Sequence, residues 1–196
     1  MSRLVFLVEE RSMAEFLNVW LNREHPNLKF LCVPHEGKRD LLQSIPRKLR
    51  AWNEPGAHFA VIIDNDNGNC EELKTEILAS CRKSGRADAL IRIACQELEA
   101  WYLGDPEALA AAFREPKLLE RLRRARFRDP DALQRPSDEL ARLVPAFQKV
   151  SGARAVAAHI DRARNRSPSF KVFAAGIDQI ANAYQPSQRT EIEAEV

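Results

Sequence analysis

The sequence predicts an α/β fold: a parallel sheet with helices on both faces, followed by a helical segment. Three observations carry this reading. Apolar runs of strand length alternate with segments of helical periodicity, in the order βαβαβαβα over residues 1–105. The third run, over 58–63, is nearly all apolar, as a strand buried on both faces should be. Acidic residues follow two of the runs at once, Glu9-Glu10 after the first and Asp64-Asn65-Asp66 after the third. In an open parallel sheet such residues meet in the crevice at the carboxyl ends of the strands.

The first strand is expected over 4–8. Met13, Phe16, Leu17, Trp20 and Leu21 then recur at helical spacing, so a helix is expected over 12–24, with Ser12 and Glu15 as its capping box. A second strand is expected over 29–34 and a second helix over 40–52, with Pro46 starting its main part. The third strand leads through a Gly-containing loop to a helix over 70–84. A fourth strand over 89–94 leads to a short helix over 96–103. From 106 onward the pattern is helical, over 106–114, 116–126, 137–150, 153–164 and 171–182, with Gly and Pro as separators. Residues 190–196 are acidic and are expected to fray. The expected organisation is an α/β domain over 1–105 with a helical extension over 106–196 packed on it.

Composition narrows the class. The 196 residues are 45% hydrophobic and 30% charged, which supports a packed core. No apolar run has the length of a transmembrane helix and no signal-peptide pattern opens the chain, so a cytoplasmic protein is expected. Cys32, Cys70, Cys81 and Cys95 are widely spaced and form no C-x-x-C pair, which fits reduced, packed thiols. Residues 1–105 hold 14 Lys/Arg against 16 Asp/Glu, net −2, and residues 106–196 hold 16 against 12, net +4. An acidic half beside a basic half suits a phosphodiester substrate, and it equally suits solvated helix surface.

Glu9 is the expected ligand of the first strand end, with Glu10 turned elsewhere. Asp64 and Asp66 lie two apart, so both side chains leave one face if the strand end stays extended. Carboxylates gathered in one crevice repel unless a cation sits among them, and Mg²⁺ or Mn²⁺ is the usual one. His35, Glu36 and Lys38 follow the second strand at the same edge, where Lys38 is placed to meet a phosphate. Glu97 and Glu99 follow the fourth strand. They suit a helix N-terminus on electrostatic grounds alone, and they would also complete a metal shell. Trp101 and Tyr102 read as packing. The stretch 114–128 is rich in Arg, with Arg121 and Arg124 among its possible nucleic-acid contacts.

V-E-E-R-S-M-A-E-F-L (8–17) and V-I-I-D-N-D (61–66) together resemble the Toprim pattern, a Glu after the first strand and D-x-D after the third. The resemblance implies that Glu9, Asp64 and Asp66 bind Mg²⁺. Glu10 departs from it, standing where many Toprim domains have Gly. P-H-E-G-K (34–38), S-I-P-R-K-L-R-A-W (44–52), R-I-A-C-Q-E-L-E-A-W-Y-L-G-D (92–105) and N-R-S-P-S-F (165–170) resemble the bacterial domain of unknown function 4276 family, a Toprim-like group. Its members are often encoded beside AAA or ABC-type ATPases in arrangements suggestive of phage defence. This resemblance adds Lys38, Glu97 and Glu99 to the site. It also draws in Arg154, Asn165, Ser167 and Ser169 as substrate contacts or interdomain caps.

The expectation is a Toprim-type, metal-dependent nuclease. Glu9, Asp64, Asp66, Lys38 and Glu99 would act in catalysis, Glu97 would join the metal shell, and Arg121, Arg124 and Arg154 would contact nucleic acid. The alternative is a binding or regulatory module, without catalysis of its own, paired with the AAA or ABC-type ATPase that the resemblance implies; the sequence has no P-loop, so any ATP hydrolysis would come from that partner. A receiver-like phosphoacceptor is disfavoured by the lack of a fifth strand. A haloacid-dehalogenase phosphatase is disfavoured because its D-x-D follows the first strand.

Overall fold

The computed structural model describes residues 3–183; the acidic 190–196 segment lies outside them. Its sheet has four parallel strands in the order β2-β1-β3-β4: β1 (Leu4–Val8), β2 (Phe30–Pro34), β3 (His58–Asp64) and β4 (Leu90–Ala94). This is the α/β class expected, and the order is that of Rossmann-like sheets. Side chains alternate across the sheet, so Leu4, Phe6, Val8, Ala60 and Ile62 enter one core cluster. Val5, Leu7, Phe59, Val61 and Ile63 enter a second one on the other face.

Helices α2 (Lys38–Ala51) and α3 (Cys70–Lys83) cover the second face, through Leu41, Ile45, Leu49, Ile77 and Cys81. Helix α1 (Arg11–Glu24) covers the first through Met13, Phe16, Leu17, Trp20 and Leu21. The later helices join that same cluster: α4 (Glu99–Leu103), α5 (Pro106–Phe113), α6 (Lys117–Leu122), α7 (Pro136–Leu143), α8 (Lys149–Ala157) and α9 (Pro168–Ala183). Trp101 stacks on Phe173 of α9 at 4.8 Å and donates through Nε1 to Ser169 Oγ at 2.8 Å. Both Trp101 and Tyr102 are buried, as packing residues should be.

Several boundaries differ from the sequence expectation for physical reasons. Helix α1 starts at Arg11 with Glu10 as N-cap residue, so Ser12 is inside the helix. The expected capping box does not form: the Ser12 hydroxyl donates to the Glu10 carboxylate, and Glu15 pairs with Arg154 and Arg11. Helix α2 runs unbroken across Pro46, starting at Lys38. The expected 116–126 helix stops at Leu122, and a 3-10 turn over Ala125–Phe127 follows. The expected 137–150 helix stops at Leu143, because Pro145 keeps Val144 out of the helical backbone. Gly152, expected between two helices, lies inside α8. A Cβ there would overlap the Phe147 ring, so this glycine serves close packing and not chain breaking.

Candidate functional site

Glu9 directly follows β1, and Asp64 ends the adjacent β3. The Asp64 N–H donates to Glu9 Oε2 at 3.1 Å, which joins the two strand ends. Asp64 is buried, and its Oδ1 has no hydrogen-bond partner. Burial pushes its carboxyl well above the usual range, and the Glu9, Glu99 and Asp66 carboxylates push the same way. The Leu98 N–H offsets part of this. The Glu9 carboxyl is also raised, first by burial and then by Asp66 and Glu10, against the Asp64 N–H and Lys38.

Asp66 departs from the expected geometry. Its φ of 49° places it in the left-handed region, so the D-x-D segment is not extended beyond Asp64. The two Asp side chains therefore part company: Asp64 turns inward, while Asp66 is about half exposed and pairs with Lys38 Nζ at 2.9 Å. The turn is fixed by β4's extension. The Asp66 N–H donates to Gln96 O at 3.0 Å and the Asn67 N–H to Gln96 Oε1 at 3.0 Å. In return the Gln96 N–H donates to Asn65 Oδ1. Gln96 has a φ of 66° and was not singled out from sequence; only the pairing of two non-adjacent loops shows its role. Lys38 also donates to Asp64 O at 2.9 Å, which places its ammonium at the crevice as expected.

Glu99 opens α4, is almost wholly buried, and has its carboxyl pushed up to about 7. Burial is the chief cause; its own backbone N–H and Lys149 oppose it, and Glu97 and Glu10 add to it. Tyr102 has a buried, unpartnered hydroxyl whose pKa rises by burial and by Glu99 and Asp64. Glu97 Oε2 accepts from the Ser137 N–H at 2.6 Å, so this carboxylate caps the start of α7.

Glu10 turns away from Glu9, as expected, and meets Lys149 Nζ at 3.3 Å. Burial pulls the Lys149 ammonium down, but Glu10, Glu99 and Asp64 together leave it raised. This pair sits at an open cleft of about 420 Å³, lined also by Arg11, Ser12, His35 and Gly37. His35 stands at 2.8 Å from Val8 O through Nδ1, and its Nε2 is buried without a partner. Burial chiefly lowers its pKa.

The expected nucleic-acid contacts are scattered. Arg121 donates to Leu143 O at 3.0 Å and Arg142 O at 3.1 Å, closing the end of α7. Arg154 is tied to Glu15 at 2.8 Å. Arg124 is exposed between α6 and the following 3-10 turn. Asn165, Ser167 and Ser169 are buried and bond to Trp101 O, to Asp131 and to each other, so they fasten chain segments together. Cys70 and Cys95, distant in sequence, bring their sulfurs within 3.7 Å.

A divalent cation fits the donors at this edge. Three carboxylates there have raised pKa values, and one buried oxygen lacks a partner. All are hard oxygen donors, which suit Mg²⁺ or Mn²⁺. Among the described residues no three His, Cys, Asp or Glu side chains already close around one point. Mg²⁺ is commonly held by one or two carboxylates, with water and substrate phosphate completing its shell.

Among the described residues no helix is long and apolar enough to cross a membrane. No curated protein matches this chain, and no solved structure does. The model of one family, described as "Domain of unknown function (DUF4276)", matches residues 8–178, and the chain belongs to that family.

Proposed function

We propose that this chain is a Toprim-type nuclease that cleaves nucleic-acid phosphodiesters with Mg²⁺ or Mn²⁺, in a bacterial defence or DNA-processing setting. The observation that carries the reading is the junction of Glu9 and Asp64 at adjacent strand ends, with Asp64 Oδ1 buried and unpartnered. Glu9 and Asp64 would hold the ion; when bound, it supplies charge stabilisation to the phosphate and a more acidic water. Lys38, anchored on Asp64 O and Asp66, presents an ammonium to a phosphate oxygen at the rim. Glu99, with a pKa near neutrality, gives or takes a proton at working pH. Burial of Asp64 and Glu99 keeps bulk water from screening these charges.

A second reading is a non-catalytic partner of an AAA or ABC-type ATPase; Arg121 and Arg154, two of the three expected nucleic-acid contacts, are engaged within the chain. The test is cleavage of labelled single- and double-stranded DNA and RNA by the isolated protein with Mg²⁺, Mn²⁺ or chelator. Cation-dependent cleavage lost in Asp64→Asn and reduced in Lys38→Met supports the nuclease. Inactive wild type on every substrate with either ion rejects it for the isolated chain.

A further inference from the structure

Helix α2 carries cations that the structure leaves without protein partners. Arg39, Gln43, Arg47 and Arg50 are all exposed. Their spacing of four, four and three residues places them on one stripe of the helix. Neither hydrogen bond nor ion pair engages Arg39, Arg47 or Arg50. An exposed helical face is ordinarily laced with acids three or four residues away, but two of the three acids near this stripe are committed elsewhere. Asp40 accepts from the Glu36 N–H at 3.1 Å, and Glu54 is held by Arg3 at 3.3 Å. Glu36 is the exposed acid at the helix start.

The stripe is also costly to the free protein. Arg47 and Arg50 stand three apart with like charge, which disfavours the helix. Arg39 adds a cation to the first turn, where the helix dipole favours an anion. Arg50 in the last turn is the one member that the dipole favours. A polyanion would remove these repulsions.

Position supplies the rest of the argument. Lys38, one residue before Arg39, touches both Asp64 and Asp66. The stripe therefore starts at the acidic crevice and runs outward along α2. Its rise from Arg39 to Arg50 is roughly 16 Å at 1.5 Å per residue.

Resting on the nuclease reading, we infer that Arg39, Arg47 and Arg50 of α2 form the track that holds the phosphate backbone of a nucleic-acid strand leading out of the crevice. The residues act through charge and direct phosphate contact, so the track reads no sequence. It replaces the dispersed Arg121, Arg124 and Arg154 as the main backbone contact.

The test is fluorescence anisotropy of labelled DNA and RNA oligonucleotides with the full chain, in chelator, over a range of salt. Wild type should bind with a negative slope of log affinity against log salt. The triple variant Arg39→Ala, Arg47→Ala, Arg50→Ala should bind at least ~10-fold more weakly, with the slope shallower by about 2 for single strands. The triple Lys variant keeps the charges and should retain most of that slope. The triple variant Arg123→Ala, Arg124→Ala, Arg128→Ala, in the other basic stretch, should bind close to wild type. All substituted side chains are exposed, and thermal melting checks the fold of each variant. Unchanged affinity in the α2 variant, or a larger loss in the 123–128 variant, overturns the track. Wild type that binds through α2 but never cleaves rejects the nuclease and leaves the track. No binding by wild type overturns the track whatever the cleavage assay shows.

Discussion

The main-chain N–H of Asp64 donates to the Glu9 carboxylate at 3.1 Å, so two repelling carboxyl groups are held together by the backbone of one of them. The sheet forces this meeting, because β1 and β3 are hydrogen-bonded neighbours that run in the same direction. Burial is the chief cause of the raised pKa values at Asp64, Glu9 and Glu99; the Glu9 carboxylate adds to that of Asp64, while the Asp64 N–H lowers that of Glu9.

Stability of the metal-free protein should fall as pH rises from about 4.5 to 7. A carboxyl raised in the folded state binds more protons there than in the unfolded chain, so the stabilising effect is complete at low pH and is lost through this window. For Glu99, raised from 4.5 to about 7, the effect is on the order of 3 kcal/mol. Urea melts at several pH values should show a shallower dependence in Glu99→Gln. An unchanged profile would reject Glu99 as a source of it.

Asp64→Asn should raise the melting temperature of the metal-free protein near pH 8, since it removes a buried charge opposed by three others. The same variant should lose any stabilisation by Mn²⁺ that wild type shows, because an ion bound to the folded state alone adds stability with concentration. Thermal scans with and without Mn²⁺ separate the two effects. Equal stabilisation of both proteins by Mn²⁺ would place the ion elsewhere.

Asp105→Ala should destabilise by about 2–4 kcal/mol, through the lost helix cap and the N–H groups left unpaired. Asp105 is fully buried, caps α5 through the Ala108 N–H at 3.1 Å, accepts from the Asp161 N–H at 2.8 Å and pairs with Arg164 at 2.8 Å. Chemical denaturation reads the loss; a change within error of zero would mean these groups find equivalent partners in water.

Gly104→Ala should cost roughly 1–3 kcal/mol by overpacking. A Cβ at Gly104 would overlap Asn165, which cannot withdraw easily. Asn165 donates to Trp101 O at 2.8 Å and accepts from the Ser167 N–H at 2.8 Å. The companion variant Asn165→Ala, Gly104→Ala should recover none of the lost hydrogen bonds. A melting point for Gly104→Ala equal to wild type would show that the segment shifts freely.

The strands, their parallel class and the carboxylates after β1 and β3 are legible in the amino-acid order alone. Apolar runs and helical periodicity are local properties, and a strand end is where such a run meets a polar residue. Lys38 at the crevice was also legible, since it follows β2 at the same sheet edge. Which side chains are already engaged depends on how the elements pack. Glu97 turned to Ser137, Arg121 to the end of α7 and Arg154 to Glu15, and each partner is distant in sequence or on another element. The left-handed turn at Asp66 likewise depends on Gln96, which arrives from the loop after β4. Periodicity shows which face of a helix is wet, but an ion pair or cap depends on which element packs beside it. That is why Arg121 and Arg154 are engaged within the chain, although each stands on a face that sequence alone reads as wet.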